Sequence, residues 1–157
     1  MPTCPSCKME TAAGRWCSVC HRNLQNPELG RLVSPAKRLG AFVLDIVLFF
    51  VLMLILRLFF SPIIKKESDI VFLSFLVLLM VELLFFSRGT TLGKMVLGMR
   101  VVKTDGRRAG FFTMLFRELI GKSISGFFFS LGFLWILLDR ERQGWHDKLA
   151  STYVVER

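Results

Sequence analysis

Three long apolar runs constrain this chain more than anything else in it: Leu39–Phe60, Ile70–Phe86 and Leu119–Leu138, all within 157 residues. As a helix the first would rise roughly 33 Å, enough to cross a hydrocarbon core of about 30 Å. The second is near the lower limit for a span, and the third carries Gly126 and Gly132. A soluble domain of this length would have to bury all three, yet the chain is 53% hydrophobic with 16 Phe and has too little amphipathic sequence to cover them. The expected fold is an all-α integral membrane domain with two clear transmembrane helices and a third long or broken apolar segment. Ser34-Pro35 marks the start of the first helix, Ser as a cap and Pro at the first helical position.

The net charge of +9 is distributed between the apolar runs. That pattern fits flanks facing an anionic lipid surface, and we expect no nucleic-acid partner. Six Lys and Arg precede Leu39, two lie in the 61–69 loop, seven in 87–118 and four in the tail. Positive-inside bias therefore predicts a cytoplasmic N-terminus, a cytoplasmic 87–118 connection and an external 61–69 loop. A single third crossing would leave the basic tail outside. A hairpin broken at Gly126 and Gly132, with its first arm starting near Phe111, would return the tail to the cytoplasm. Arg57, near the outer end of the first span, is expected to snorkel to the interface.

The four cysteines lie between residues 4 and 20, as Cys4-Pro5-Ser6-Cys7 and Cys17-Ser18-Val19-Cys20. The opening MPTCPSCKME lacks an apolar core of signal-peptide length, so the thiols are expected in a reducing compartment. Two-residue spacing lets both sulfurs of a pair meet one ion, and two such pairs complete a tetrahedral four-sulfur site suited to Zn²⁺. With all positions filled, the role of the ion is structural. A redox dithiol and an iron–sulfur cluster are the competing readings. His21 beside Cys20 is expected in a supporting or solvated role rather than as a ligand. The organisation is then a zinc ribbon at 1–22, a linker at 23–34 and a transmembrane domain at 35–157. The ribbon resembles short zinc ribbons at the ends of many bacterial membrane and regulatory proteins.

Charged residues inside apolar runs are costly and need a partner or water. Asp45, Glu82 and Lys122 are three such residues, and Arg38 lies two helical turns below Asp45 on the same face. One reading is a polar pocket or ion site built from Arg38, Asp45, Glu82 and Lys122, with Arg38 reaching up to Asp45. The other is a neutralised set that fixes helix registry. Between the apolar runs, Arg100–Thr104, followed by the turn pair Asp105-Gly106, and Ser151–Val155 have strand character. With a cytoplasmic tail they would pair into a small sheet at that face.

Ser34–Asp45, Gly89-Thr90-Thr91-Leu92-Gly93-Lys94 with Leu97–Val102, and Arg142–Thr152 occur in that order. Together they resemble the RDD family of small bacterial membrane proteins, named for an arginine and two aspartates. The resemblance covers about 34–155, places Arg38, Asp45 and Asp147 at the family positions, with His146 in the closing motif, and implies a bacterial inner membrane. Gly89–Lys94 is no nucleotide loop, because the spacing before Gly-Lys and the following Ser or Thr are missing. His146-Asp147 has no nucleophile or metal partner and reads as a structural hydrogen-bonding pair.

The expected function is that of a multi-pass inner-membrane interaction or regulatory protein, not an enzyme. Its zinc ribbon would engage a membrane or cytoplasmic protein. The alternative is a small ion or proton-coupled transporter that titrates Asp45 and Glu82, for which the small size of the chain would call for a homo-oligomer.

Overall fold

The computed structural model describes residues 3–12, 14–121, 123–124 and 131–156. Helix α1 spans Pro35–Phe60, and its free N-terminus is capped by the Ser34 hydroxyl, which accepts from Lys37 N–H at 3.3 Å. Helix α2 spans Glu67–Phe86, starting ahead of its apolar run. Its first turn carries Glu67 and Asp69, whose charges suit the positive end of the helix dipole. The two helices lie side by side, and Arg57 pairs with Glu67 at 3.0 Å across the short loop that joins them. Arg57 thus has a carboxylate partner at the helix end where it was expected to snorkel.

Both helices are long and apolar enough to cross a bilayer, and only 6% of the α1 window and 22% of the α2 window is buried inside the protein. Along α1, Ala41 alone is buried, and Phe42, Phe50, Leu54 and Leu58 project outward. A core helix of a soluble protein would show the reverse, so this surface is matched to lipid.

After α2 the chain turns at Gly89, whose φ of +66° and whose 2.8 Å approach of a notional Cβ to the Ala109 carbonyl admit little but glycine. A short helix α3, Leu92–Val96, follows and then strand β1, Met99–Lys103. Helix α4, Phe111–Leu115, continues into a π-helical turn over Phe116–Gly121. Helix α5 is Leu131–Leu138, α6 is Trp145–Leu149, and strand β2 is Thr152–Glu156. Of the apolar run Leu119–Leu138, residues 122 and 125–130, including Lys122 and Gly126, lie outside the described residues.

β1 and β2 pair antiparallel, with Met99 opposite Glu156, Val101 opposite Val154 and Lys103 opposite Thr152. Alternation along the strands divides the core in two. Met99, Val101 and Val154 face the helices with Val33, Ala41, Phe86 and Met114. Val102, Tyr153 and Val155 face the other way, toward Trp16, Leu32 and Leu29. Leu32 also bridges to Val155, and Val33 N–H donates to the Val154 carbonyl at 3.1 Å. Residues 31–33, inside the stretch read as a linker, therefore lie alongside β2. The start of α1, the end of α2 and the tail consequently meet at one end of the helical pair, which places the tail on the same side as the N-terminus.

Candidate metal centre and buried ion-pair cluster

Two turns of the same shape build the thiol site. In the first, Lys8 N–H donates to the Cys4 carbonyl and Cys4 N–H to Met9; in the second, His21 N–H donates to Cys17 and Cys17 N–H to Arg22. The residue after each second cysteine takes a left-handed conformation, Lys8 at φ 59° and His21 at φ 56°. This reverses the chain so that both sulfurs of a pair face one point. Thr11 joins the two halves by accepting from Ser18 N–H at 3.0 Å.

The sulfurs of Cys4, Cys7, Cys17 and Cys20 all lie within 4.8 Å of one another. The Cys4–Cys20 and Cys7–Cys17 pairs are 3.7 and 3.8 Å apart. Four sulfurs at about 2.3 Å from a tetrahedral Zn²⁺ would be about 3.8 Å apart, the spacing of these two pairs, so the donor set suits such an ion. Burial opposes ionisation of Cys17, but N–H groups of Cys20 and Val19 draw its thiol down to about 6. Burial drives Cys20 up to about 12, with the neighbouring cysteines adding to it. A bound cation would supply the charge that lets all four act as thiolates. His21 stays outside the set: its Nε2 sits 2.7 Å from the Arg142 guanidinium, which can only donate, so this nitrogen accepts. Burial and then the Arg142 charge lower its pKa.

The ribbon is fastened to the sheet. Trp16 packs edge-on against Tyr153 at 5.2 Å between ring centroids, a geometry worth about 0.5–1.5 kcal/mol beyond the area it buries. The Tyr153 hydroxyl donates to Glu141 at 2.6 Å. Burial and then Glu141 push Tyr153 up to about 12. Arg31 and Lys37 both pair with Glu156 at the end of β2.

The second site lies where Arg38 of α1 meets α6 and the π turn after α4. Asp147 is fully buried. It accepts from Arg38 Nη1 at 2.5 Å, from Arg117 Nε and Nη2 at 2.8 and 2.7 Å, and from Gly144 N–H at 3.1 Å. Burial alone would raise this carboxyl, but the charges of Arg117, then Arg38, hold it well below the usual carboxylate range. Arg117 reaches on to Glu118 at 2.7 Å, and Lys94 pairs with the same oxygen at 2.9 Å. A ladder Arg38–Asp147–Arg117–Glu118–Lys94 thus ties α1, α3, the π turn and α6 together.

One expectation changes here. Arg38 does not reach Asp45; it turns to Asp147, 109 residues on, where the carboxylate is buried beside it. Asp45 instead holds the start of α3, accepting from the Thr91 hydroxyl at 2.7 Å and Gly93 N–H at 2.5 Å. A Cβ on Gly93 would lie 2.4 Å from the Ala41 carbonyl, so α3 packs on α1 at a distance only glycine permits. The Gly89–Lys94 stretch therefore docks one helix on another. His146 Nε2 is 3.6 Å from Asp147 Oδ1, an ion-pair rather than a hydrogen-bond distance, and the ring lies against Phe133.

Of the four residues read as a pocket, Arg38 and Asp45 line a common cavity of about 580 Å³ together with Lys94, Arg117 and His146. Glu82 is not among its lining residues, and Lys122 falls outside the described residues. Sequence reasoning missed Arg117 and Glu118. The signal was present, two adjacent charges between Phe116 and Leu119, a setting where a charge demands a buried partner.

These features define a membrane protein with two apolar helices and, at the start of the first, a buried arginine–aspartate cluster that ties it to the later part of the chain. The family model described as "RDD family" matches residues 32–151, and the chain belongs to that family. It is also similar to a protein of Bacillus subtilis (strain 168) called "Uncharacterized protein YckC", at 34% identity over 123 residues, covering 75% of this chain and 80% of the relative. No solved structure matches. The cysteines precede the family-matched range.

Proposed function

We propose that this protein is a non-enzymatic interaction or regulatory component of the bacterial inner membrane, with its ribbon on the cytoplasmic side as a Zn²⁺-dependent contact module. The observation that carries this is the closed thiol set: four sulfurs converge on one point, leaving no position for water or substrate. What such a site presents is surface, and Lys8, Met9, Arg15 and Val19 are exposed around it. Because Trp16 and Leu32 pack on the sheet, metal occupancy bears on the RDD domain as well as on the ribbon. The excess of Lys and Arg at the end of the helical pair that holds the ribbon supports the cytoplasmic orientation, with both termini inside and two helices crossing.

Transport through Asp45 and Glu82 has no comparable support, because Asp45 is engaged in holding α3 and Glu82 is not in the wall of the shared cavity.

The test is crosslinking in native membranes of the full chain and of the double variant Cys17→Ser/Cys20→Ser, with metal content measured on the purified proteins. We expect one Zn²⁺ per chain in the first, none in the second, and loss of specific crosslinked partners with the metal. An unchanged partner set in the metal-free variant refutes the adaptor reading.

A further inference from the structure

Arg38 uses only part of its guanidinium. Nη1 serves Asp147, while Nε and Nη2 are buried and, among the described residues, meet no hydrogen-bond acceptor. The side chain is only 9% exposed, so little of it meets bulk water. A guanidinium only donates, and buried N–H groups call for an acceptor. The nearby carboxylates are committed: Asp147 receives two arginines and Gly144 N–H, and Asp45, also in the cavity wall, receives Thr91 and Gly93.

The cavity that Arg38 lines has polar and apolar lining residues. Lys94 and Arg117 line it but are paired with Glu118 and Asp147, whereas Arg38 keeps two buried donors to spare. Leu39 and Phe42 from α1 with Leu134 and Leu137 from α5 line it too, and these side chains are exposed. Arg38 lies in the first turn of α1, the level at which a span passes from the headgroup layer into hydrocarbon. A group that satisfies both the spare donors and the apolar lining has acceptor oxygens, a negative charge and an apolar body attached.

We propose that this cavity seats the phosphate of an anionic membrane phospholipid, with Arg38 as its principal donor and the exposed Leu39 and Phe42 side chains receiving the acyl chains. Basic pockets between membrane helices are suited to such headgroups. Arginine matches phosphate in a planar, two-pronged way that lysine does not reproduce.

The test uses the purified full chain in a neutral detergent, titrated with a short-chain phosphatidylglycerol, the phosphatidylcholine of equal chain length, or inorganic phosphate. Native mass spectrometry reads binding and thermal unfolding reads stabilisation. We expect phosphatidylglycerol to bind and stabilise, with phosphatidylcholine at least about tenfold weaker because its choline offsets the phosphate charge, and inorganic phosphate at least about tenfold weaker because it has no acyl chains. Arg38→Lys, which keeps the positive charge beside Asp147, should weaken phosphatidylglycerol by about tenfold. Leu39→Glu places a charge at a position 63% exposed, away from the core, and should abolish retention without unfolding the chain. Equal binding of the two lipids, inorganic phosphate as effective as phosphatidylglycerol, or phosphatidylglycerol bound unchanged by Leu39→Glu would each overturn the proposal. If Arg38→Lys does not fold, the lipid comparison and Leu39→Glu still decide it.

Discussion

The cysteine ribbon gathers its ligands from one short stretch, Cys4 to Cys20, whereas the cluster beneath the helices gathers Arg38, Arg117 and Asp147 from three separated parts of the chain. In the ribbon two local turns do most of the positioning, and a bound metal ion would close the set. In the cluster nothing local brings the partners together. Packing of α1, the π turn and α6 must first create the buried space, and the ion pairs then make that packing specific. A metal site of this kind is therefore removable as a unit, while the ion-pair cluster is woven through the domain. Loss of one partner there leaves a buried charge unanswered.

The two regions should separate under chelation. Stripping the metal should unfold residues 3–22, because structural zinc in small ribbons supplies about 10–16 kcal/mol of apparent folding free energy at neutral pH. Limited proteolysis should then cut around Cys4–Cys20 while α1 and α2 stay protected in detergent. Protection of the ribbon after complete metal removal would erase the contrast.

In the cluster, Asp147→Asn keeps the shape but removes the charge shared by Arg38 and Arg117. We expect a loss of about 3–5 kcal/mol, read as a large drop in thermal midpoint in detergent with metal content unchanged. The same linkage gives the acid response. Because Asp147 is held below its ordinary range, its contribution is fully present above the unfolded carboxyl value near 4. It is lost only as pH falls from there through the lower folded value. Acid scans above pH 5 should leave the cluster intact.

Gly93→Ala is expected to be milder. The added Cβ meets the Ala41 carbonyl at 2.4 Å and Asp45 Oδ1 at 2.8 Å, so α3 must lift from α1, at about 1–3 kcal/mol as for other overpacked sites. An unchanged thermal midpoint would show that α3 can shift without penalty.

The smallest effect belongs to the contact between the two regions. The chain has one tyrosine, and Tyr153 is pushed up to about 12. Its unfolded form loses the proton near 10, so its contribution is complete below that pH and disappears as pH rises towards 12. Tyrosinate absorbance in the full chain should titrate about two units above that of a peptide, and should fall back towards the peptide value in Glu141→Gln.

Read from the residues, the first two apolar runs required a membrane, Ser34-Pro35 marked the start of α1, and the two Cys-x-x-Cys pairs defined a four-thiol site. Each of these rests on neighbours in sequence: helical rise, a cap, a turn that aims two sulfurs. Other features required the packed chain. Arg38 was expected to reach Asp45, within two turns of its own helix, but an ion pair forms where burial brings charges together, and that place was Asp147. Arg117 and Glu118 were visible as charges without visible partners. Residues 31–33 read as linker because Gly and Pro nearby suggest a turn, yet β2 offered an open edge for Leu32 and Val33. The sequence by itself determined what must be buried, capped or ligated; the tertiary structure decided which distant group answers each buried charge, because that depends on packing across more than a hundred residues.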